Sequence, residues 1–156
     1  QGACIGGALD MVTCCDMRYA AADAVFSVKE VDVGMTADVG TLQRLPRLVP
    51  DSVARELAYT GRNVDAAEAE RIGLVNRVFA SHDALLAGVM QPAQAIAGKS
   101  PLAIRGTKEM LNYGRDHSVA DGLNYIATWN AAMLMSNDLT AAMMAGMSKQ
   151  TPTFKD

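Results

Sequence analysis

Residues 6–40, GGALDMVTCCDMRYAAADAVFSVKEVDVGMTADVG, pass from a helix through two short strands into a loop and set three acids among apolar neighbours. Gly6-Gly7 opens a helical stretch from Ala8 to about Cys15, apolar at nearly every position, as in a buried helix. Arg18 to Ala21 and Val25 to Val28 read as short strands around the Ala22-Asp23 turn. Asp10 interrupts Ala-Leu and Met-Val. Glu30 follows Val-Phe-Ser-Val and a lysine, and Asp38 sits between Ala and Val in a loop that ends in glycine.

Upstream, Gln1 to Ile5 reads as the end of a buried strand already under way, which predicts that the chain is a piece of a longer protein. Downstream, Thr41 to Leu48 predicts a short helix stopped by Pro50. Asp51 to Tyr59 predicts a second, with Asp51 or Ser52 as its cap and Gly61 just past its end. Asp65 caps a helix over Ala66 to Ile72 that stops at Gly73, and Leu74 to Phe79 follows as a strand.

Beyond residue 80 the pattern becomes helical, with helices over about 82–98, 101–113, 118–136 and 139–149. Pro101 suits the first turn of the second of these. Val119, Leu123, Ile126, Trp129 and Met133 recur three or four residues apart and predict a packing face. Of the ten methionines, Met133, Met135, Met143, Met144 and Met147 fall on the last helices, where adaptable thioethers suit core or subunit contacts. The chain therefore divides into an α/β part, residues 1–80, and a helical part, residues 81–156.

Half of the 156 residues are hydrophobic and a fifth are charged, which places the chain among globular proteins. A net charge of −3 argues against a nucleic acid as the main partner. Cys4, Cys14 and Cys15 form no C-x-x-C pair and predict free thiols in a reducing compartment. His82 and His117 stand far apart without metal-ligand spacing, so no metal site is expected. No apolar run is long enough to span a membrane.

A helix that opens on two glycines offers backbone N–H groups without intrahelical partners, a place for a phosphate or the oxyanion of a carbonyl substrate. Two glycines alone more often mean tight helix–strand packing. Asp10 near the start of that helix complements its dipole, but apolar neighbours require a buried carboxylate to be paired or protonated. Glu30 and Asp38, if they line one pocket, form a pair in which one accepts a proton and the other donates one. Asp23 and Asp32 read as turn or surface acids.

The block QGACIGGALDMVTCCDMRYAAADAVFSVKEVDVGMTADVGTLQRLPRLV resembles the central block of the crotonase (enoyl-CoA hydratase/isomerase) superfamily. LAYTGRNVDAAEAERIGLVNRVF resembles the block after it, and KSPLAIRGTK the start of its C-terminal helical part. The resemblance spans the chain in the family's order. It implies the second half of a ββα spiral core followed by a helical region for trimerisation, with the family's amino-terminal half missing.

Carried over residue by residue, the family's oxyanion-hole glycine falls on Gly7, beside Gly6, and the second N–H of that hole belongs to the missing half. Hydratases of the family carry two glutamates where this chain has Asp10 and Glu30, and often a glycine where it has Asp38. The trio Asp10, Glu30 and Asp38 instead resembles the Δ3,5-Δ2,4-dienoyl-CoA isomerase branch. That implies Glu30 removing a proton at C2, Asp38 delivering one at C6, Asp10 ordering the pocket and Gly7 N–H stabilising the dienolate oxygen. The sequence carries no distances, so the reverse assignment of Glu30 and Asp38 stays open.

The rivals are a 2-enoyl-CoA hydratase and a non-catalytic acyl-CoA-binding scaffold of the same fold. The resemblance further implies an acyl-CoA thioester substrate, no cofactor beyond the coenzyme A that the substrate carries, and self-association to a trimer or hexamer. It places the protein in the peroxisomal or mitochondrial matrix of a eukaryote, or the cytoplasm of a bacterium, and not outside the cell. The terminal Thr-Phe-Lys-Asp does not match a Ser-Lys-Leu peroxisomal signal. By itself the 156-residue chain is expected to be inactive and poorly soluble.

Overall fold

The computed structural model describes residues 1–154; Lys155 and Asp156, half of that terminal tetrapeptide, lie outside the described residues. Two compact units divide the chain, Gln1–Met90 and a second that begins at Gln91.

In the first unit, strand β1 (Ala3–Ile5) leads into helix α1 (Gly7–Thr13), followed by β2 (Tyr19–Ala21) and β3 (Val25–Ser27). A 3-10 turn over Glu30–Val33 and a loop precede α2 (Thr41–Arg44), which continues as a 3-10 turn over Leu45–Arg47. Then come α3 (Asp51–Thr60), β4 (Val64–Asp65), α4 (Ala66–Arg71) and β5 (Arg77–Phe79). β1 lies parallel to β3, with Ile5 opposite Ser27, and β4 runs antiparallel on the other side of β3. β2 and β5 make a separate parallel pair in which Ala20 faces Val78. The helices and sheets close on one core that includes Leu9, Phe26, Val28, Leu45, Leu57 and Leu74.

Several expected boundaries hold for their expected reasons. The Asp65 carboxylate accepts the Glu68 N–H at 2.7 Å and caps α4. Gly61 and Gly73, at φ +58° and +81°, take the left-handed conformation that ends a helix without a Cβ clash.

Others differ. α1 is buried on one face only, through Leu9, Asp10 and Thr13, while Met11 is 72% exposed. The strand at the start of the chain is half exposed rather than buried. No side chain caps α3, which begins at Asp51 directly after Pro50. The expected helix over 41–48 is split, because Pro46 interrupts the hydrogen-bond ladder and the chain tightens into a 3-10 turn. Strand 74–79 keeps only its last three residues: before them the Val75 N–H turns back to the Ala69 carbonyl at 3.2 Å, and the Leu74 carbonyl accepts from Arg18 Nε at 2.6 Å. The two-residue strand β4 is too short for period-two alternation to reveal it.

Helix α5 (His82–Ala97) starts in the first unit and crosses the boundary. The second unit continues with α6 (Pro101–Tyr113), α7 (Val119–Met133) and α8 (Asn137–Met147). Serines at 100, 118 and 136 cap these three, and Ser118 with Asp121 forms a reciprocal capping box. α6 meets α7 at Gly106, where an added Cβ would stand 2.6 Å from Trp129 Nε1. The expected packing face of α7 is occupied only in part: Val119 is 82% and Leu123 64% exposed. None of the described helices is long and apolar enough to cross a membrane.

Candidate active site

The parallel pairing of β1 and β3 decides what stands at their carboxyl ends. Ile5 and Ser27 are register partners, and the Gly6 N–H donates to the Ser27 carbonyl at 3.0 Å. The residues that leave the two strands, Gly6 on one side and Glu30 on the other, therefore emerge side by side. The carboxyl end of parallel strands is where open α/β sheets place their ligands.

Glu30 opens the 3-10 turn after β3 and is half-buried. Its Oε1 lies 3.2 Å from where a side chain on Gly6 would begin, so the carboxylate rests against a backbone kept bare of Cβ. Gly6 also has φ +56°, which turns the chain from strand to helix at no steric cost. The other oxygen, Oε2, is buried and has no hydrogen-bond partner among the described residues. An ionised oxygen without a donor costs free energy, and its lone pair is open to a proton from elsewhere.

Gly7 is the first residue of α1. Its N–H therefore has no acceptor inside the helix. Apart from its chain neighbours and its own helix backbone, no atom of the described residues lies within 4 Å of where a Cβ on Gly7 would be, so its flank is open.

Asp10 is 3% exposed, and Oδ1 accepts the backbone N–H of Thr41 at 2.9 Å. A buried carboxylate is thus satisfied by a main-chain donor at the start of α2. The same residue's carbonyl accepts from Thr13 Oγ1 at 2.8 Å and from Arg44 Nη2 at 3.1 Å.

Asp38 is exposed, in the loop between the 3-10 turn and α2. The two residues after it are fixed. The Val39 carbonyl accepts from Arg44 Nη2 at 2.7 Å, and Gly40, at φ +101°, lies so close beneath the guanidinium that a Cβ would collide with it. Asp10 and Asp38 are thereby joined through the Val39–Thr41 turn, while Glu30 stands with Gly6 at the strand ends.

A second brace holds the turn that carries Glu30. The Gly61 carbonyl accepts from Ser27 Oγ at 2.8 Å and Lys29 Nζ at 2.6 Å, and Lys29 also pairs with Asp32 at 2.9 Å. Asp32 is exposed, as its sequence setting suggested. Arg44, Thr41 and Lys29 escaped the sequence reading. Each makes a contact to or through a main-chain group more than thirty residues away, Arg44 to the Asp10 carbonyl, Thr41 through its own N–H and Lys29 to the Gly61 carbonyl, and such contacts leave no motif. The cysteines are free, and burial pushes the half-buried Cys4 thiol up from its ordinary value.

A family model described as Enoyl-CoA hydratase/isomerase matches residues 1–156. The chain is 53% identical, over 99% of its length and 55% of the relative's, to the peroxisomal Delta(3,5)-Delta(2,4)-dienoyl-CoA isomerase of Arabidopsis thaliana. It is 52% identical to the mitochondrial Delta(3,5)-Delta(2,4)-dienoyl-CoA isomerase of Homo sapiens, over 93% of the chain and 44% of the relative. The chain thus spans about half the length of these curated relatives. A crystal structure of enoyl-CoA hydratase from Bacillus anthracis matches with a TM-score of 0.94 and 32% identity, covering 99% of this chain and 59% of that one.

Proposed function

This chain belongs to the enoyl-CoA hydratase/isomerase family, and we propose that its protein isomerises 3,5-dienoyl-CoA to 2,4-dienoyl-CoA in the oxidation of unsaturated fatty acids. One observation carries the proposal. The Glu30 carboxylate sits at the carboxyl ends of β1 and β3, against Gly6, with a buried oxygen that no donor among the described residues occupies. Greater likeness to relatives named as dienoyl-CoA isomerases than to a structure titled enoyl-CoA hydratase supports isomerisation over hydration.

In this mechanism Glu30 takes a proton from C2 of the thioester. The C–H electron pair spreads through the diene onto the thioester oxygen, where the free Gly7 N–H and the start of α1 oppose the charge. Asp38 then gives a proton to C6, leaving double bonds at C2 and C4. Asp10 orders the site through Thr41. Glu30 ends the turnover protonated and Asp38 deprotonated, so the two exchange a proton with each other or with water before the cycle repeats.

The only cofactor chemistry required is the coenzyme A already on the substrate. Acyl-CoA is the partner, together with further copies of the chain in a trimer or hexamer; the exposed apolar side chains of α7 and α8 support that association. The names of the relatives support a peroxisomal or mitochondrial matrix site in a eukaryotic cell, with the cytoplasm its counterpart in a bacterium.

The test gives 3,5-dienoyl-CoA to the protein as the cell makes it and follows the absorbance of the conjugated product. Rapid appearance of 2,4-dienoyl-CoA is expected. Unchanged dienoyl substrate with fast hydration of 2-enoyl-CoA would overturn the proposal in favour of a hydratase. Coenzyme A thioester binding without either reaction would make the protein a scaffold.

A further inference from the structure

We propose that Arg44 is a positioning residue for Asp38: by tying the Val39–Thr41 turn to α1 it sets where the Asp38 carboxylate stands. The inference rests on Asp38 being the proton donor at C6. It follows from the fork geometry of one guanidinium, which reaches both structures that must be held together. On the α1 side, Arg44 Nε donates to Thr13 Oγ1 at 3.0 Å and Nη2 to the Asp10 carbonyl at 3.1 Å. On the loop side, Nη2 also donates to the carbonyl of Val39, the residue directly after Asp38, at 2.7 Å.

The clamp is closed by what lies beneath and beyond it. Gly40 passes under the guanidinium in a left-handed conformation, and a Cβ there would collide with Arg44 Nη1. The next residue, Thr41, is held by the Asp10 carboxylate. Three consecutive residues are thus tied to α1 or covered by the arginine. Asp38 itself is exposed, so its location follows from the backbone it leaves and not from packing around its side chain. A lysine could keep the charge at position 44, but its single ammonium lacks the planar fork that meets both sides.

Proton transfer is sensitive to such placement, since a displacement of about 1 Å can cost on the order of 10²-fold in rate. Removing the clamp therefore should lower kcat and leave KM within a few fold. An arginine that merely stabilised the fold would not produce that split.

The experiment is a double-mutant cycle of Arg44→Ala and Asp38→Asn in the full protein, with isomerase kinetics and amide hydrogen exchange on each variant. Arg44→Ala is expected to lower kcat by about 10²-fold, to raise exchange at residues 39–41, and to be partly rescued by added guanidinium ion. On the Asp38→Asn background it should cost little more. Arg44→Lys, the variant to use if the alanine form does not fold, should lose less than alanine and still exceed tenfold. An equal loss in both backgrounds, or unchanged exchange at 39–41, would overturn the proposal. Asp38→Asn with parental activity would overturn the assignment of Asp38 itself, and the Arg44 proposal with it; that single variant tells the two failures apart.

Discussion

The unit up to Met90 and the unit from Gln91 both contain apolar residues at helical spacing, yet they use them differently. Every buried hydrophobic side chain among the described residues falls between Leu9 and Val75. In the second unit, among the described residues, Gly106 alone is buried, and it marks a close helix contact, while Leu111, Val119, Leu123, Met135, Met143 and Met147 face outward. Burial of apolar area is what stabilises a fold, so the first unit carries its own stabilising core and the second displays the face of one. Exposed apolar patches of this kind mark surfaces made to be covered. The first unit also contains every residue of the candidate site, so the proposed function places its chemistry in the first unit and its self-association in the second.

The largest test of that division is chemical. Glu30→Gln and Asp38→Asn are each expected to lower kcat by about 10²–10⁴-fold, the range for loss of a general acid or base, with the fold intact by circular dichroism. Losses below tenfold from both would remove the proton carriers from the first unit and break the contrast.

How much of this could be read from the residues depends on whether a contact leaves a periodic or local trace. Asp65 three residues before Glu68, Gly61 and Gly73 are local signals, and each ends or begins an element where expected. Glu30 and Asp38 stood out because carboxylates among valines and alanines need a reason. The partner of Asp10 is a main-chain N–H 31 residues downstream, so no spacing rule could supply it. Arg44 was invisible for the same cause, since two of its three acceptors are carbonyls that every residue has. The repeat Val119, Leu123, Ile126, Trp129, Met133 did reveal a helix with an apolar face. Periodicity says which side is apolar and is silent on what covers it, which is why the face proved half open.

A stability comparison sharpens the contrast further. Leu57 on α3 is 2% exposed and Leu123 on α7 is 64% exposed. Leu57→Ala should cost about 2–5 kcal/mol through lost burial and the cavity left behind. Leu123→Ala, measured at concentrations too low for association, should stay within about 0.5 kcal/mol. Denaturant titration followed by circular dichroism checks both, and Trp129, the one tryptophan of the chain, reports the second unit by fluorescence. At concentrations where chains associate, the Leu123 variant should become the more destabilised by comparison with its dilute value. Equal costs at both sites, independent of concentration, would mean that the two units are stabilised alike.

The smallest expected effect belongs to the second unit's one perturbed imidazole. His117 Nδ1 lies 2.8 Å from the Tyr113 carbonyl and 2.7 Å from Asp116 Oδ1, and its ring stacks on Tyr113 at 3.7 Å between centroids. The Tyr113 carbonyl, and after it the Asp116 carboxylate, hold its pKa above the ordinary histidine value. A raised folded-state pKa means that the folded chain binds the proton more tightly than the unfolded one. The stabilisation is therefore full below the unfolded value of about 6.5 and is lost as pH rises through the folded value. Since the ring is solvent-exposed, salt and water screen most of it. The Trp129 unfolding midpoint should fall slightly from about pH 6 to about pH 8, and His117→Gln should flatten that slope. Hydrogen exchange of the buried amides of the first unit should not follow it; an equal slope there would show that the two units unfold as one.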